Sequence, residues 1–374
     1  MTGSFDLRLD RRMLEIAARV GLRGWGRVSP NPMVGCVIGT QTGAVLGIGH
    51  HRMFGGAHAE VEALRAAHES GHSSKGATAW VTLEPCSHTG KTPPCARALL
   101  DAGIARVVCA RPDTSEAAGG GCGQLRAHGV SCEFVPSSNA WDLAEPWHAS
   151  RTAGRPWTTL KWAQTLDGAI ADHAGASQWL SNARSRWFVH AWRGRVDAVV
   201  TGIGTVLADD PRLTARSVRP RRTAARIVLD PWLDTPEDAR IFDDRSQAPL
   251  MFVTDRAEAV RIRRVRERGA RVLERNAMWS DPDTLGGVWR QMYSEHEMSS
   301  VLVEAGGGVA TRLLTADLVD ELLVFVTPKL LGDARGVAPV RSAVPRALTD
   351  ASAWRLVMHK RFDDDIACLY RRPR

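Results

Sequence analysis

Two cysteines, Cys86 and Cys95, lie in the stretch EPCSHTGKTPPC with eight residues between them. Redox motifs and zinc ribbons separate their thiols by two residues, so the spacing points elsewhere. Cys86 follows a strand-like run, and Cys95 opens a helical pattern for which Pro93 and Pro94 are suited as a start. The partial positive charge of that helix end favours thiolate over thiol. Two thiolates near one point ask for a cation. The nearest imidazole and carboxylate are in GAHAEVEAL: His58 and, two residues on, Glu60. Residues two apart on a regular helix diverge by about 200°. They can serve one site only if His58 lies at the loop-to-helix entrance, and Gly55 and Gly56 permit that. One imidazole and two thiolates leave the fourth position of a zinc ion to water. Glu60 is then a proton carrier and not a ligand. His88 stands as the alternative fourth ligand of a structural zinc, or as a substrate contact.

His58-Ala59-Glu60, Pro85-Cys86 and Cys95 reproduce the layout of zinc nucleobase deaminases, except that their usual gap of two between cysteines is eight here. The chemistry expected of that layout is hydrolytic. Zinc makes its bound water acidic, Glu60 takes the proton, hydroxide attacks an amidine-like ring carbon, and Glu60 returns the proton to the departing amine. The remaining five cysteines, Cys36, Cys109, Cys122, Cys132 and Cys368, read as small buried hydrophobes and not as a disulfide framework.

The elements that must position these groups follow from hydrophobic period. The first ~135 residues alternate, with helices at 10–21, 59–70, 95–103 and 123–129 and strands at 33–39, 44–50, 78–84, 105–110 and 131–135. This is a three-layer α/β/α pattern. Residues 136–156 mix Pro, Gly, Ser and Ala without clear period and contain the expected linker, 147–156, between a domain at 1–146 and a second at 157–374. The second domain shows strands at 158–164, 197–202, 225–230, 249–254, 271–274 and 300–306, with helices near 181–194, 256–268, 283–295 and 307–316. LLVFVTPKLL and IACLYRR read as a closing strand pair.

A chain of 374 residues fits two domains, and 44% hydrophobic with 24% charged residues suits globular cores. No apolar run reaches the roughly 18 residues of a membrane span, and the N-terminus lacks the order of a secretory signal, so a cytoplasmic location is expected. The net charge of +8 concentrates in ARSVRPRRTAAR (215–226) and RIRRVRERGARVLER (261–275). No aromatics interleave with these arginines, which argues against a nucleic-acid groove and for solvated surfaces.

SPNPMVGCVIG, GAHAEVEAL and TLEPCSHTGKTPPC together resemble the deaminase domain of the bifunctional riboflavin-biosynthesis deaminase/reductases, where the long cysteine gap is usual. LKWAQTLDGAIA, SQWLS, GIGTVLADDPRLTAR, VEAGGGVA and VDELLVFVTPKLLG resemble the reductase domain of the same family, and the likeness spans nearly the whole chain. The resemblance implies a cytidine-deaminase-like domain followed by a dihydrofolate-reductase-like α/β domain. It implies deamination of 2,5-diamino-6-ribosylamino-4(3H)-pyrimidinone 5′-phosphate with zinc, then reduction of the opened ribosyl group of the product to ribityl with NADPH. It also implies a homo-oligomer formed through the reductase domain.

By the same resemblance, Asn31 holds the pyrimidine, and His88 and Lys91 line that site. Ala163, Trp179, Thr205 and Asp209 match contacts to the dinucleotide. Ser177, Arg193, Leu213, Arg216 and Glu304 match contacts to the phosphorylated substrate, where Arg216 would pair bidentately with phosphate. Gly306, Gly307 and Gly308 sit between a strand and a helix, a placement suited to diphosphate held by backbone amides. Lys161 and Asp167 are candidates for the reducing site. Read from the residues alone, this half is weaker, because VTGIGTVL puts Leu207 where G-x-G-x-x-G needs glycine. Two departures stand out: RPDTSEAAGGGCGQ (111–124) keeps Asp113 but not the family's following Asn-Pro, and the arginine-rich 215–226 connection is long. Two rival readings stay open. One is a deaminase of a nucleic-acid base or nucleoside, with an inactive or RNA-binding second domain. The other is a non-catalytic zinc scaffold.

Overall fold

The computed structural model describes residues 6–89, 93–114, 119–243, 248–275, 282–341 and 347–373. The chain divides into two compact units, Met1–Ala153 and Gly154–Arg374.

The first unit is built on a five-stranded sheet in the order β2-β1-β3-β4-β5. Its elements are α1 (Leu7–Gly21), β1 (Gly35–Gly39), β2 (Val45–His50), α2 (Ala59–Glu69), β3 (Thr78–Val81), α3 (Cys95–Asp101), β4 (Arg106–Cys109), α4 (Gly121–Ala127), β5 (Ser131–Phe134) and α5 (Ser138–Ala153). β1 runs antiparallel to β2 and β3, while β3, β4 and β5 are parallel. Successive strand residues face opposite sides, and both sides are apolar. Val37, Trp80 and Val108 pack with Met13, Leu14 and Ala17 of α1 and Ala140 of α5. Cys36, Ile38, Ala79, Val81, Val107 and Cys109 pack on the other face with Ala59 and Ala63 of α2, Leu99 of α3 and Leu125 of α4. The result is the expected three-layer arrangement.

The stretch expected to be a linker is instead α5, whose last residue, Ala153, ends the first unit; only 154–156 precede the next strand. Its buried residues, among them Ala140, Leu143, Ala144 and Ala149, are mostly small, and Pro146 interrupts the helix interior. That composition carries little apolar period. Packing on α1 stabilises this helix where propensity does not. One further cysteine reading is corrected: Cys122 and Cys132 form a disulfide.

The second unit contains β6 (Trp157–Gln164), α6 (Ala183–Arg193), β7 (Ala198–Gly202), α7 (Ile203–Asp209), β8 (Ala225–Leu229), β9 (Leu250–Thr254), α8 (Ala259–Glu267), β10 (Arg271–Glu274), α9 (Pro282–Ser294), β11 (Ser300–Glu304), α10 (Gly307–Thr315), β12 (Glu321–Val326), β13 (Arg355–Phe362) and β14 (Asp365–Arg371). Its sheet runs β10-β9-β8-β7-β11-β6-β12-β14-β13. The strands from β10 to β12 are parallel, and the β13–β14 hairpin closes the edge antiparallel. The expected closing pair is β12 against β14. β13 escaped the sequence reading because, as an edge strand, it keeps Arg355, Lys360 and Arg361 exposed. α7 escaped it because it is only seven residues long and contains Gly204.

The arginine runs are largely engaged within the unit. Arg222 pairs with Asp197 and Arg261 with Asp234, while Arg264 lies 3.5 Å from Glu237 and Arg266 lies 2.8 Å from Glu274. Among the described residues, no helix is long and apolar enough to cross a membrane.

Candidate functional site

His58 is the extended N-cap of α2 (φ −75°, ψ 167°), so its ring leaves the chain before the helical twist begins, while Glu60 occupies the first turn. Cys86 follows β3 in an extended segment, and Cys95 is the first residue of α3. His58 Nδ1 lies 3.6 Å from Cys86 Sγ and 3.2 Å from Cys95 Sγ, and all three donor atoms fall within 4.8 Å of one another. Zinc bonds of about 2.0–2.3 Å in a tetrahedron set such donors roughly 3.5–3.8 Å apart, so the residues fit that ion. The Cys95 amide donates to Cys86 Sγ at 3.3 Å, a helix-start N–H aimed at a thiolate. His88 is exposed and is not part of this cluster among the described residues. Lys91 lies outside the described residues.

Electrostatics agree with the geometry. A hydrogen bond from Cys95, with further ones from His58 and the Cys95 amide, holds the Cys86 thiol down at about 4 against burial. Cys95 is pushed up, first by that same hydrogen bond to Cys86 and then by burial. The first proton of the pair therefore leaves readily, and the second is resisted by like charge until a cation is present. Glu60 is 3% exposed, and burial raises its carboxyl to about 7, with His58 opposing. That is the range a proton carrier needs.

Asn31 lies close by, and its orientation is set by a residue the sequence reading missed. His51 is buried, and its Nδ1 lies 3.0 Å from Ala57 O, to which it donates. Its Nε2 is then the acceptor for Asn31 Nδ2 at 3.3 Å. This leaves the Asn31 carbonyl oxygen as the free end of the amide. The only signal in the sequence was a histidine pair ending a strand. Glu84, also missed, is buried and accepts from the Cys122 amide at 2.9 Å and the Asp113 amide at 3.1 Å. It ties the atypical 111–124 loop to the segment that carries Cys86. Gly121 is required at this junction, because a Cβ there would lie 1.8 Å from Pro85 O.

In the second unit, a cavity of about 910 Å³ is lined by residues from β6, β7, α6, α7, β11 and α10. It brings together Lys161, Ala163, Ser177, Trp179, Arg193, Thr205, Asp209, Leu213, Arg216, Glu304, Gly306, Gly307 and Gly308. Asp167 is not among the lining residues. Its carboxylate accepts from the amides of Leu331 (3.1 Å) and Gly332 (2.7 Å).

At the cavity wall, Arg193 clasps Glu304 with two bonds of 2.6 and 3.0 Å, and Lys161 Nζ stands 3.9 Å from the same carboxylate. Burial pushes Glu304 up, but Arg193 and Lys161 overcome it and hold the group at about 2. Burial lowers Lys161, with Glu304 opposing. His190, unanticipated, lines the same cavity and is held at about 4 by burial and by Arg193 and Arg216, hence neutral. Asp209 accepts from Ser177 Oγ at 3.0 Å and from Gln178 Nε2 at 3.1 Å. The guanidinium of Arg186 lies 4.5 Å over the Trp179 ring, and Thr205 Oγ1 accepts from the Gly306 amide at 3.3 Å. One cavity thus presents an ion-pair cluster, several further arginines and the glycine-lined N-terminus of α10.

Comparison with known proteins accounts for both units. Residues 156–368 match the RibD C-terminal domain, and residues 7–111 match the cytidine and deoxycytidylate deaminase zinc-binding region. The riboflavin biosynthesis protein RibD of Aquifex aeolicus is 35% identical, covering 88% of this chain and 90% of its own length. That of Escherichia coli is 37% identical with the same coverage. Among solved structures, Acinetobacter baumannii RibD superposes with a TM-score of 0.80 at 30% identity, covering 99% of this chain and 100% of its own. The diaminohydroxyphosphoribosylaminopyrimidine deaminase/5-amino-6-(5-phosphoribosylamino)uracil reductase of Thermotoga maritima does so at 0.80 and 31%, covering 98% and 99%. A whole-chain match in both sequence and fold, with both units in order, leads to one conclusion: this chain belongs to the RibD family, the bifunctional deaminase/reductases of riboflavin biosynthesis.

Proposed function

We propose that the first unit deaminates 2,5-diamino-6-ribosylamino-4(3H)-pyrimidinone 5′-phosphate and that the second reduces the opened ribosyl group of 5-amino-6-(5-phosphoribosylamino)uracil with NADPH. The observation that carries the first half is the convergence of His58, Cys86 and Cys95 beside the buried Glu60. Those three side chains would hold zinc, which when bound makes water acidic near neutral pH. Glu60 takes the proton from water and delivers it to the departing amine, so that an amino group and water become a carbonyl and ammonia. The carbonyl of Asn31, aimed by His51, accepts from an N–H of the pyrimidine. The exposed His88, together with Lys91, contacts the rest of the substrate.

In the second unit, the amides at the start of α10 hold the NADPH diphosphate. Thr205, Asp209, Trp179 and Ala163 place the nicotinamide side of the cavity. Arg216, Ser177 and Leu213 receive the phosphorylated substrate. Hydride passes to the carbon of the opened sugar, and a proton must follow. Lys161 is the donor this arrangement favours, because it stands buried in the cavity with its ammonium lowered toward transfer, while Arg193 keeps Glu304 ionised. The decisive experiment supplies the diaminopyrimidinone phosphate with and without NADPH and identifies products by mass. The deaminated compound alone is expected without NADPH, and the ribityl compound with it. Unchanged substrate in both cases would overturn the assignment.

A further inference from the structure

Three cysteines outside the zinc cluster meet in the interior of the first unit. Cys109 ends β4, Cys122 lies in the first turn of α4, and Cys132 lies in β5, the edge strand. All three are buried, their sulfurs lie within 4.8 Å of one another, and Cys122 is bonded to Cys132 while standing 3.7 Å from Cys109 Sγ. We propose that they form a thiol–disulfide exchange site, in which the Cys122–Cys132 crosslink closes and opens with redox state and Cys109 is the resident third thiol.

The chemistry balances. On closing, the thiols of Cys122 and Cys132 give two electrons and two protons to a small disulfide such as oxidised glutathione, which departs as two thiols. In the exchange step, which waits on local opening because burial holds the Cys109 thiol up, Cys109 Sγ loses its proton and attacks Cys122 Sγ. A Cys109–Cys122 bond forms, the Cys122–Cys132 bond breaks, and Cys132 receives the proton that Cys109 gave up. The site opens through α4, which has only seven residues and follows Gly119 and Gly120, the latter at φ 90°. A helix that short is marginal without tertiary support and is suited to local opening. Return is equally provided for. Arg126 donates to Cys132 O through Nε at 3.0 Å and Nη2 at 2.6 Å, a tie between α4 and β5 that does not depend on the crosslink and can guide α4 back.

The crosslink also reaches the zinc loop. The amide of Cys122 is one of the two that Glu84 holds, and Gly121 lies against Pro85 O. Closing the bond fixes the 119–123 turn against the segment that ends in Cys86; opening it loosens that turn.

Intact protein, prepared without reductant, is unfolded in a chelator with an alkylating reagent and its thiols are counted. Five are expected before reduction with a phosphine and seven after, with Cys122 and Cys132 linked on peptide mapping. Oxidised glutathione applied to C132A is expected to yield a Cys109–Cys122 disulfide. On reduction of the wild type, amide hydrogen exchange should rise in 119–127 and stay unchanged in 59–69. Seven thiols in the presence of oxidised glutathione would overturn the proposal. So would wild-type crosslinking with no Cys109–Cys122 product in C132A, or a second equivalent of zinc that C132A loses. The wild-type count and exchange data stand even if C132A fails to fold.

Discussion

Glu60 and Asp209 are the residues on which the two chemistries are most directly testable. Glu60 touches the metal cluster without being one of its donors, and its burial sets a proton affinity near neutrality. Replacing Glu60 with Gln keeps shape and burial but removes the carboxyl that takes up and returns a proton. Ammonia release should fall by about 10²–10⁴ while zinc content, measured by mass spectrometry of the metal, stays at the wild-type level. Loss of zinc with the activity would make Glu60 a ligand. Asp209 holds Ser177 and Gln178 in place at the cavity wall. Asp209→Ala should weaken NADPH binding, read as a rightward shift in the fluorescence-quenching titration, and leave deamination unaltered. Quenching that titrates as in the wild type would remove Asp209 from the cofactor site.

At the scale of elements, the zinc site is a meeting of two helix starts and one turn. α2 presents His58 before its twist begins, α3 presents Cys95 at its first residue, and the start of α4 with the two residues before it (119–123) braces the segment after β3 that carries Cys86. Gly121→Ala tests the brace. Its Cβ would meet the Pro85 carbonyl, a backbone atom that cannot swing aside, so overpacking of about 1–3 kcal/mol is expected. A lowered melting temperature and faster zinc loss to a chelator would report it. Gly123→Ala, two residues on with nothing within 4 Å of its added carbon, is the silent control. Equal melting temperatures for the two variants would show that the turn does not brace the site.

The whole molecule carries two separate interiors. The first unit's sheet is covered by its own helices on both faces, and the second is organised around Trp289, Val301, Val303, Leu313 and their neighbours. The metal cluster belongs wholly to the first unit and the cavity wholly to the second. Stripping zinc with a chelator should therefore abolish ammonia release yet leave NADPH oxidation intact when the deaminated intermediate is supplied. A parallel fall of both activities would show that the units are coupled through more than the shared chain.

Residue type and spacing were enough to anticipate that His58, Cys86 and Cys95 meet. Thiolate, imidazole and carboxylate chemistry admits few partners, and the loop-to-helix entrance of His58 followed from the angular step of a helix. The alternation of strands and helices was legible for the same reason, since both faces of each sheet must be covered by apolar side chains. Other features were decided by contacts far apart in sequence. α5 is helical because α1 covers it, against its own proline and small residues. His51 matters because its ring bridges Ala57 and Asn31. Asp167 is fixed by two amides more than 160 residues away in the chain, which donate to its oxygens. Cys122 meets Cys132 and Cys109 only when α4 lies on β4 and β5. Spacing along the chain reports what a residue can do; which partner it meets is set by the packing of the finished fold, where burial and hydrogen-bond satisfaction act on all elements at once.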